Sequence, residues 1–307
     1  MKIVFMGTPE FAVPCLRMLA ESSHEVPAVF TQPDKPKGRG YKMIPTPVKS
    51  VAMEYNIPVY QPLSLRKGDD AKQAFEILEN ISPDLIVVTA YGQILPKEIL
   101  NLPKYGCINI HASLLPAYRG SAPINWCILN GEKITGVTSM MMAEGLDTGD
   151  MLIKKSTNIG ENEIYQELYT RLADIGGEVL AETIQTIENG TLSPEKQDDS
   201  KSNYAPMIRK EMSALDFSES VQKVHNTIRG VTGFTMLNGK RLKVFRSEIV
   251  SGNSDFESGC IIDTENFIVK CGNGLIKFCE IQLEGSKRMK TADFLRGKKL
   301  TLGEKLG

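Results

Sequence analysis

The chain has 307 residues, of which 41% are hydrophobic and 24% charged, with a formal net charge of −1; this suits two well-packed globular domains and excludes a disordered chain. The apolar run in Met1–Gly7 is too short for a signal peptide and no stretch is long enough to span a bilayer, so a cytoplasmic protein without membrane contact, by default a monomer, is expected. Six cysteines, none in a C-x-x-C pair and most in apolar runs, read as buried free thiols, with neither metal ligands nor disulfides.

Lys2 to Met6 reads as a buried strand, with Thr8 as N-cap and Pro9 as first residue of a helix reaching Glu21. A dinucleotide site would need G-x-G-x-x-G at this turn, and only Gly7 is present, which argues against one. A second strand, Val26 to Thr31, leads into Gln32–Lys42, whose prolines, glycines and bases predict a long exposed loop. Thr46-Pro47 caps a helix that continues through Glu54, Pro58 to Tyr60 is a short strand, and Asp70 to Asn80 a helix. Asp84 to Thr89 is apolar on both faces, as a central parallel strand should be, and Tyr91 to Pro96 forms the loop at its carboxyl end.

Cys107 to His111 is the next strand. Helix signals follow at Ala122 to Leu129, strands at Gly136 to Met142 and Met151 to Lys154, and a long helix from Glu163 to Ile187. Trp126 is expected in the core. Such alternation predicts an α/β fold with a twisted, mostly parallel, Rossmann-like sheet over residues 1–190. Residues 191–206, rich in Asp, Gln, Ser and Asn, read as a linker. Beyond it a helix at Val221 to Arg229 and five short strands, with a strong hairpin turn at Asn238-Gly239, predict a smaller OB-like β-barrel over 207–307. The two parts differ in charge: 19 basic against 25 acidic residues up to Pro206, and 17 against 12 from Met207 on, a hint of an anionic partner for the second part.

Chemistry concentrates between Cys107 and Asp150. Asn109 and His111 lie two apart on a strand, so both leave one face while Ile108 and Ile110 take the other. At the carboxyl end of a parallel strand they would occupy the edge where open α/β sheets bind ligands. Gly145-Leu146-Asp147-Thr148-Gly149 then brackets an acid with two glycines. An amide, an imidazole and a carboxylate suffice to hold an oxyanion and to manage a proton. A capped strand end and an ordinary Asp turn would use the same residues.

Asn109-x-His111, Ser113-Leu114-Leu115-Pro116-x-x-Arg119-Gly120-x-Ala122-Pro123, Gly136-Val137-Thr138 and Gly145-Leu146-Asp147-Thr148-Gly149 together resemble the folate-dependent formyltransferases, and the likeness runs almost to the C-terminus. The resemblance implies catalytic roles for Asn109, His111 and Asp147. It also implies 10-formyltetrahydrofolate as donor and no metal, the folate lying along Ser113, Leu114, Leu115 and Pro116 and against the loop of Tyr91, Gly92, Ile94 and Leu95. Physically, a pterin needs backbone hydrogen bonds at its edge and apolar walls on its faces.

Within that family the triad alone leaves the acceptor open among a glycinamide nucleotide, an amino-sugar nucleotide, water and a charged tRNA. The basic loop Lys35, Lys37, Arg39, Tyr41, Lys42 resembles an insertion that meets the acceptor end of tRNA, and the second domain, with Lys240 and Arg241, resembles a tRNA-binding domain. Methionyl initiator tRNA is therefore the expected acceptor. In one place the chain departs from the pattern: only Val231-Thr232-Gly233 stands where relatives carry a longer segment rich in proline and tryptophan.

Overall fold

The computed structural model describes residues 1–37 and 42–307. These form two compact units, one of residues 1–120, 136–157 and 169–204, the other of residues 121–135, 158–168 and 205–307.

The first unit begins with β1 (Ile3–Gly7), buried throughout, followed by a 3-10 turn and α1 (Val13–Ala20). Thr8 is not the cap that its position suggested. Its hydroxyl donates to the Tyr91 carbonyl (2.9 Å) and accepts from Gln32 N (3.3 Å), tying together three loops at the carboxyl edge of the sheet, while the Tyr169 hydroxyl accepts from Phe11 N (2.8 Å). β2 (Val29–Phe30) is shorter than expected.

Beyond it, part of the predicted loop is strand: β3 (Lys35–Lys37) pairs antiparallel with β4 (Lys42–Ile44), with Lys35 opposite Ile44. α2 (Pro47–Glu54) starts as predicted: the Thr46 hydroxyl accepts from Lys49 N (3.1 Å) and also meets the buried Thr31 hydroxyl (2.7 Å). Thr46→Ala should therefore cost about 2 kcal/mol, a lost cap plus a stranded buried hydroxyl, whereas Thr46→Ser should recover most of it. Urea denaturation reads both; equal midpoints for Ala and parent would remove the cap from the account.

The chain continues through β5 (Val59–Tyr60), α3 (Gly68–Ile81), β6 (Leu85–Thr89) and a short α4 (Lys97–Leu100) to β7 (Cys107–His111). α5 (Pro123–Leu129), β8 (Ile134–Met141), β9 (Met151–Asn158) and α6 (Tyr165–Glu188) follow. Among the described residues the sheet has the order β5-β2-β1-β6-β7-β8-β9. β1, β2, β5, β6 and β7 run parallel, and β8 is antiparallel to β7. The mostly parallel α/β sheet is thus as expected. Strands β1 and β6 are buried on both faces, so their apolar runs carry no alternation. Val4, Met6, Ile86 and Val88 pack with Ala74 and Leu78 of α3 on one side.

In the second unit α7 (Val221–Val231) is capped by Ser220, whose hydroxyl accepts from Lys223 N. β10 (Gly233–Leu237) and β11 (Lys240–Val250) meet across Asn238 and Gly239, both at positive φ (51° and 72°), the geometry that an Asn-Gly hairpin supplies. β12 (Ile261–Asp263), β13 (Ile268–Cys271), β14 (Gly274–Leu283), β15 (Met289–Lys290) and α8 (Thr291–Gly297) complete it. Among the described residues the strand order is β10-β11-β14-β13-β12 with β15 on β14, so the ladder stays open between β10 and β12. Residues of the C-terminus reach both edges instead: Leu306 N donates to Gly259 O (2.9 Å) and Gly307 N to Met236 O (3.2 Å). Trp126, expected in the core, is half-buried, its indole N–H donating to Pro206 O (2.8 Å).

The cysteines are free, five buried and Cys279 partly so. Burial pushes the thiols of Cys15, Cys107 and Cys271 up to about 12 and those of Cys127 and Cys279 to about 11. An alkylating reagent at pH 8 should accordingly label the folded protein slowly, Cys279 first, and all six sites after unfolding; rapid labelling of Cys107 in the folded protein would contradict this burial. Among the described residues, no helix is long and apolar enough to cross a membrane.

Candidate active site

β7 leaves the sheet between parallel β6 and antiparallel β8, with Asn109 opposite Met140 and His111 opposite Thr138. Strand alternation puts the two polar side chains on one face. Asn109 is half-buried and His111 only 6% exposed.

The turn that follows is held by one local bond and by two to Thr138 on the neighbouring β8. The Ser113 hydroxyl donates to Ala117 O (2.6 Å), the Thr138 hydroxyl donates to Ser113 O (2.7 Å) and accepts from Leu115 N (3.1 Å). The Leu115-Pro116 peptide bond is cis. The turn brings the Tyr118 carbonyl 2.9 Å from His111 Nε2. A carbonyl can only accept, so Nε2 carries a proton and Nδ1 is the nitrogen left for other partners.

Asp147 comes to Nδ1 from the 142–150 bend. Its Oδ2 lies 3.7 Å from His111 Nδ1, within ion-pair range and too long for a hydrogen bond, and accepts from Gly120 N at 2.8 Å. The residue sits at φ 52°, a left-handed conformation that Asp tolerates better than most side chains. Gly149 permits the bend: a Cβ there would stand 1.8 Å from the Met141 carbonyl oxygen, so the backbones approach too closely for any side chain. His111 and Asp147 are thereby brought together at the carboxyl end of β7, and Asn109 lies two residues before His111 on the same face of that strand.

The residues expected to hold folate divide into two sets. Ser113, Leu115, Tyr91 and Leu95 are almost fully buried; Leu115 packs with Met140 and Met151, and Tyr91 with the β6 core, its hydroxyl unpartnered and its ionisation pushed up by burial. The Tyr91 carbonyl is already taken by Thr8 and by Gln32 Nε2 (3.3 Å). Ile94 (64% exposed), Gly92 at φ 83°, and half-buried Leu114 and Pro116 remain accessible. Among the described residues no cluster of three or more metal-ligating side chains occurs.

Of the basic loop, Lys35 is exposed and borders a recess of about 280 Å³ with Thr8, Gln32, Ile44 and Thr46; the backbones of Lys37 and Lys42 pair in the register of β3 and β4. Arg39 and Tyr41 lie outside the described residues. Lys240 and Arg241 are exposed on β11, where the Arg241 guanidinium lies over the Phe234 ring at 3.7 Å.

Sequence reasoning missed the contribution of residues 195–204, expected as a linker. Gln197 Nε2 donates to the carbonyls of Asp147 (2.8 Å) and Gly149 (2.7 Å), and Gln197 Oε1 accepts from Arg119 Nε (2.9 Å). Arg119 also donates to Asp199 (2.7 Å), and Asn203 accepts from Tyr118 N through its side chain and from Arg119 N (3.0 Å) through its carbonyl. Nothing in the polar composition of that segment distinguishes a strap from a tether.

A family model described as Formyl transferase matches residues 1–184, and one described as Formyl transferase, C-terminal domain, matches residues 207–299. A protein of Citrifermentans bemidjiense named methionyl-tRNA formyltransferase is 51% identical, covering 100% of this chain and 96% of its own length. One of the same name from Alkaliphilus oremlandii is 50% identical with 100% of both covered. Among solved structures, the N-formyltransferase of Helicobacter canadensis, in complex with folinic acid and dTDP-3-aminofucose, shares the fold at a TM-score of 0.68 and 22% identity, covering 91% of this chain and 98% of that one.

Proposed function

The chain belongs to the formyl transferase family, and from this we infer that it transfers a formyl group from 10-formyltetrahydrofolate to the free amino group of methionyl initiator tRNA, giving N-formylmethionyl-tRNA. The observation that carries the chemistry is the approach of Asp147 to His111 beside Asn109. The acceptor is supported by relatives of that name that match both units at about half identity.

The donor, when bound, supplies a formyl carbon, and formyl transfer to an amine builds negative charge on its oxygen. The Asn109 amide donates a hydrogen bond to that oxygen. His111, held through Nε2 by Tyr118, offers a protonated Nδ1 to the same oxygen, with Asp147 compensating the imidazolium charge. Asp147 also receives, directly or through a water, the proton that the attacking nitrogen loses as its bond to carbon forms, and that proton is available to the folate nitrogen as the old bond breaks. No serine or cysteine nucleophile is required, because the amine itself attacks.

Accessible Ile94 and Leu114 fit the apolar faces of a pterin, and the Gly92 and Pro116 backbones its edge; buried Tyr91, Leu95, Ser113 and Leu115 hold those loops in place. We assign residues 1–190 to catalysis and 207–307 to tRNA binding, as a small OB-like barrel whose open side the C-terminal residues line. Lys35, Lys37, Arg39, Tyr41 and Lys42 would meet the acceptor end, and Lys240 and Arg241, the latter stacked on Phe234, the tRNA backbone. A monomer acting in the cytoplasm fits this role. Incubation with formyl-labelled folate and each acceptor in turn tests the reading: label should move to charged initiator tRNA, and label on a sugar nucleotide but not on tRNA would overturn it.

A further inference from the structure

We propose that Gln197 is a positioning residue for the reaction, acting through Asp147; the proposal rests on the function inferred above. Gln197 is half-buried in a segment whose neighbours, Glu195, Lys196, Asp198 and Asp199, are exposed. All its donor capacity is aimed at the bend that carries Asp147. Both amide protons are spent on main-chain carbonyls, those of Asp147 and Gly149, which flank Thr148, and its oxygen is held by the Arg119 guanidinium. Arg119 is anchored in turn by Asp199 and by the Asn203 carbonyl.

Two carbonyls converging on one amide need a donor between them. Without it they repel, and the left-handed conformation of Asp147 loses its external support. The strap begins at a paired bridge, Met151 N to Glu195 O and Glu195 N to Met151 O, both 2.8 Å, so Gln197 approaches from a fixed point on β9. It ends at Asn203, whose side chain accepts from Tyr118 N, the residue whose carbonyl orients His111. One segment thus supports both members of the His111–Asp147 pair, and Gln197 is the member that touches the acid's own backbone.

Gln197→Met keeps the length of the side chain and removes every hydrogen bond; Gln197→Glu keeps its shape and the Arg119 contact but cannot donate. Both should lower kcat for formyl transfer about 10- to 100-fold, with KM for folate and for charged tRNA within about twofold of the parent and a melting temperature lowered by a few degrees at most, the protein remaining fully folded at the assay temperature. A second readout needs no turnover: the Gly120 amide, which donates to the Asp147 carboxylate, should exchange its hydrogen about tenfold faster or more in Gln197→Met, while amides of β6 keep their protection. Unchanged kcat in both variants, unchanged Gly120 exchange, or a loss of kcat that follows unfolding at the assay temperature would overturn the proposal. An inactive parent protein whose Gly120 exchange still responds to Gln197→Met would instead reject the assigned function and keep the strap.

Discussion

His111→Ala should lower kcat/KM for formyl transfer to charged initiator tRNA by about a hundredfold or more, because a single oxyanion donor commonly contributes about 3 kcal/mol to the barrier. The imidazole has a second task as well. With Nε2 fixed on the Tyr118 carbonyl, Nδ1 is the ring position that faces Asp147, so alanine removes the oxyanion donor and also leaves the carboxylate without its cationic partner. Asp147→Asn separates the two tasks. It preserves the size of the side chain and the contact with Gly120 N, yet cannot hold the imidazolium or accept the amine proton. Its loss should approach that of His111→Ala, and the double variant should cost far less than the product of the two, since the residues act as a unit. Losses of each variant below about tenfold, measured with the melting temperature unchanged, would take His111 out of the chemistry.

Gly149→Ala should be the most damaging single-methyl change in the site. Its Cβ would lie 1.8 Å from the Met141 oxygen and 2.8 Å from the Met141 carbonyl carbon, both backbone atoms of β8 that cannot step aside. Relief requires the bend to move off the strand, breaking the bond from Met141 N to Asp150 O (2.8 Å) and the Gln197 contact with Gly149. The expected cost is about 1–3 kcal/mol in stability together with a loss of at least about a hundredfold in kcat as Asp147 leaves His111. Gly145→Ala provides the contrast. There the obstruction is the Thr148 side chain, 2.3 Å away at its hydroxyl, which rotates out of the way, so both effects should be slight. Urea denaturation and steady-state kinetics on the two variants read the difference; equal behaviour would mean that the bend is softer than its packing implies.

The parts of the fold that could be read from sequence are those in which a local pattern decides the outcome. β6 is apolar on both faces because it lies inside a parallel sheet, the Thr46-Pro47 cap lies wholly within one turn, and Asn238-Gly239 brings its own backbone preference. His111 and Asn109 were legible for the same reason, since strand alternation alone places them together. What escaped depends on partners distant in sequence. Thr8 looks like a helix cap until the loops carrying Tyr91 and Gln32 arrive at its hydroxyl. The burial of Tyr91 and Leu95 in the core beside α3 and α4 likewise depends on elements that local pattern does not join. Gln197 lies 50 positions from the carbonyl of Asp147 that it holds, and no periodicity connects them. The open edge between β10 and β12, reached by the last few residues, was equally invisible.

If Asn109, His111 and Asp147 surround the carbon being transferred, a crystal structure of the chain with a formyl-bearing folate bound should place the formyl oxygen within about 3 Å of the Asn109 amide nitrogen, with His111 Nδ1 and the Asp147 carboxylate on the side from which an amine would approach. A folate whose formyl group points away from all three residues, with the His111–Asp147 pair unchanged, would contradict it.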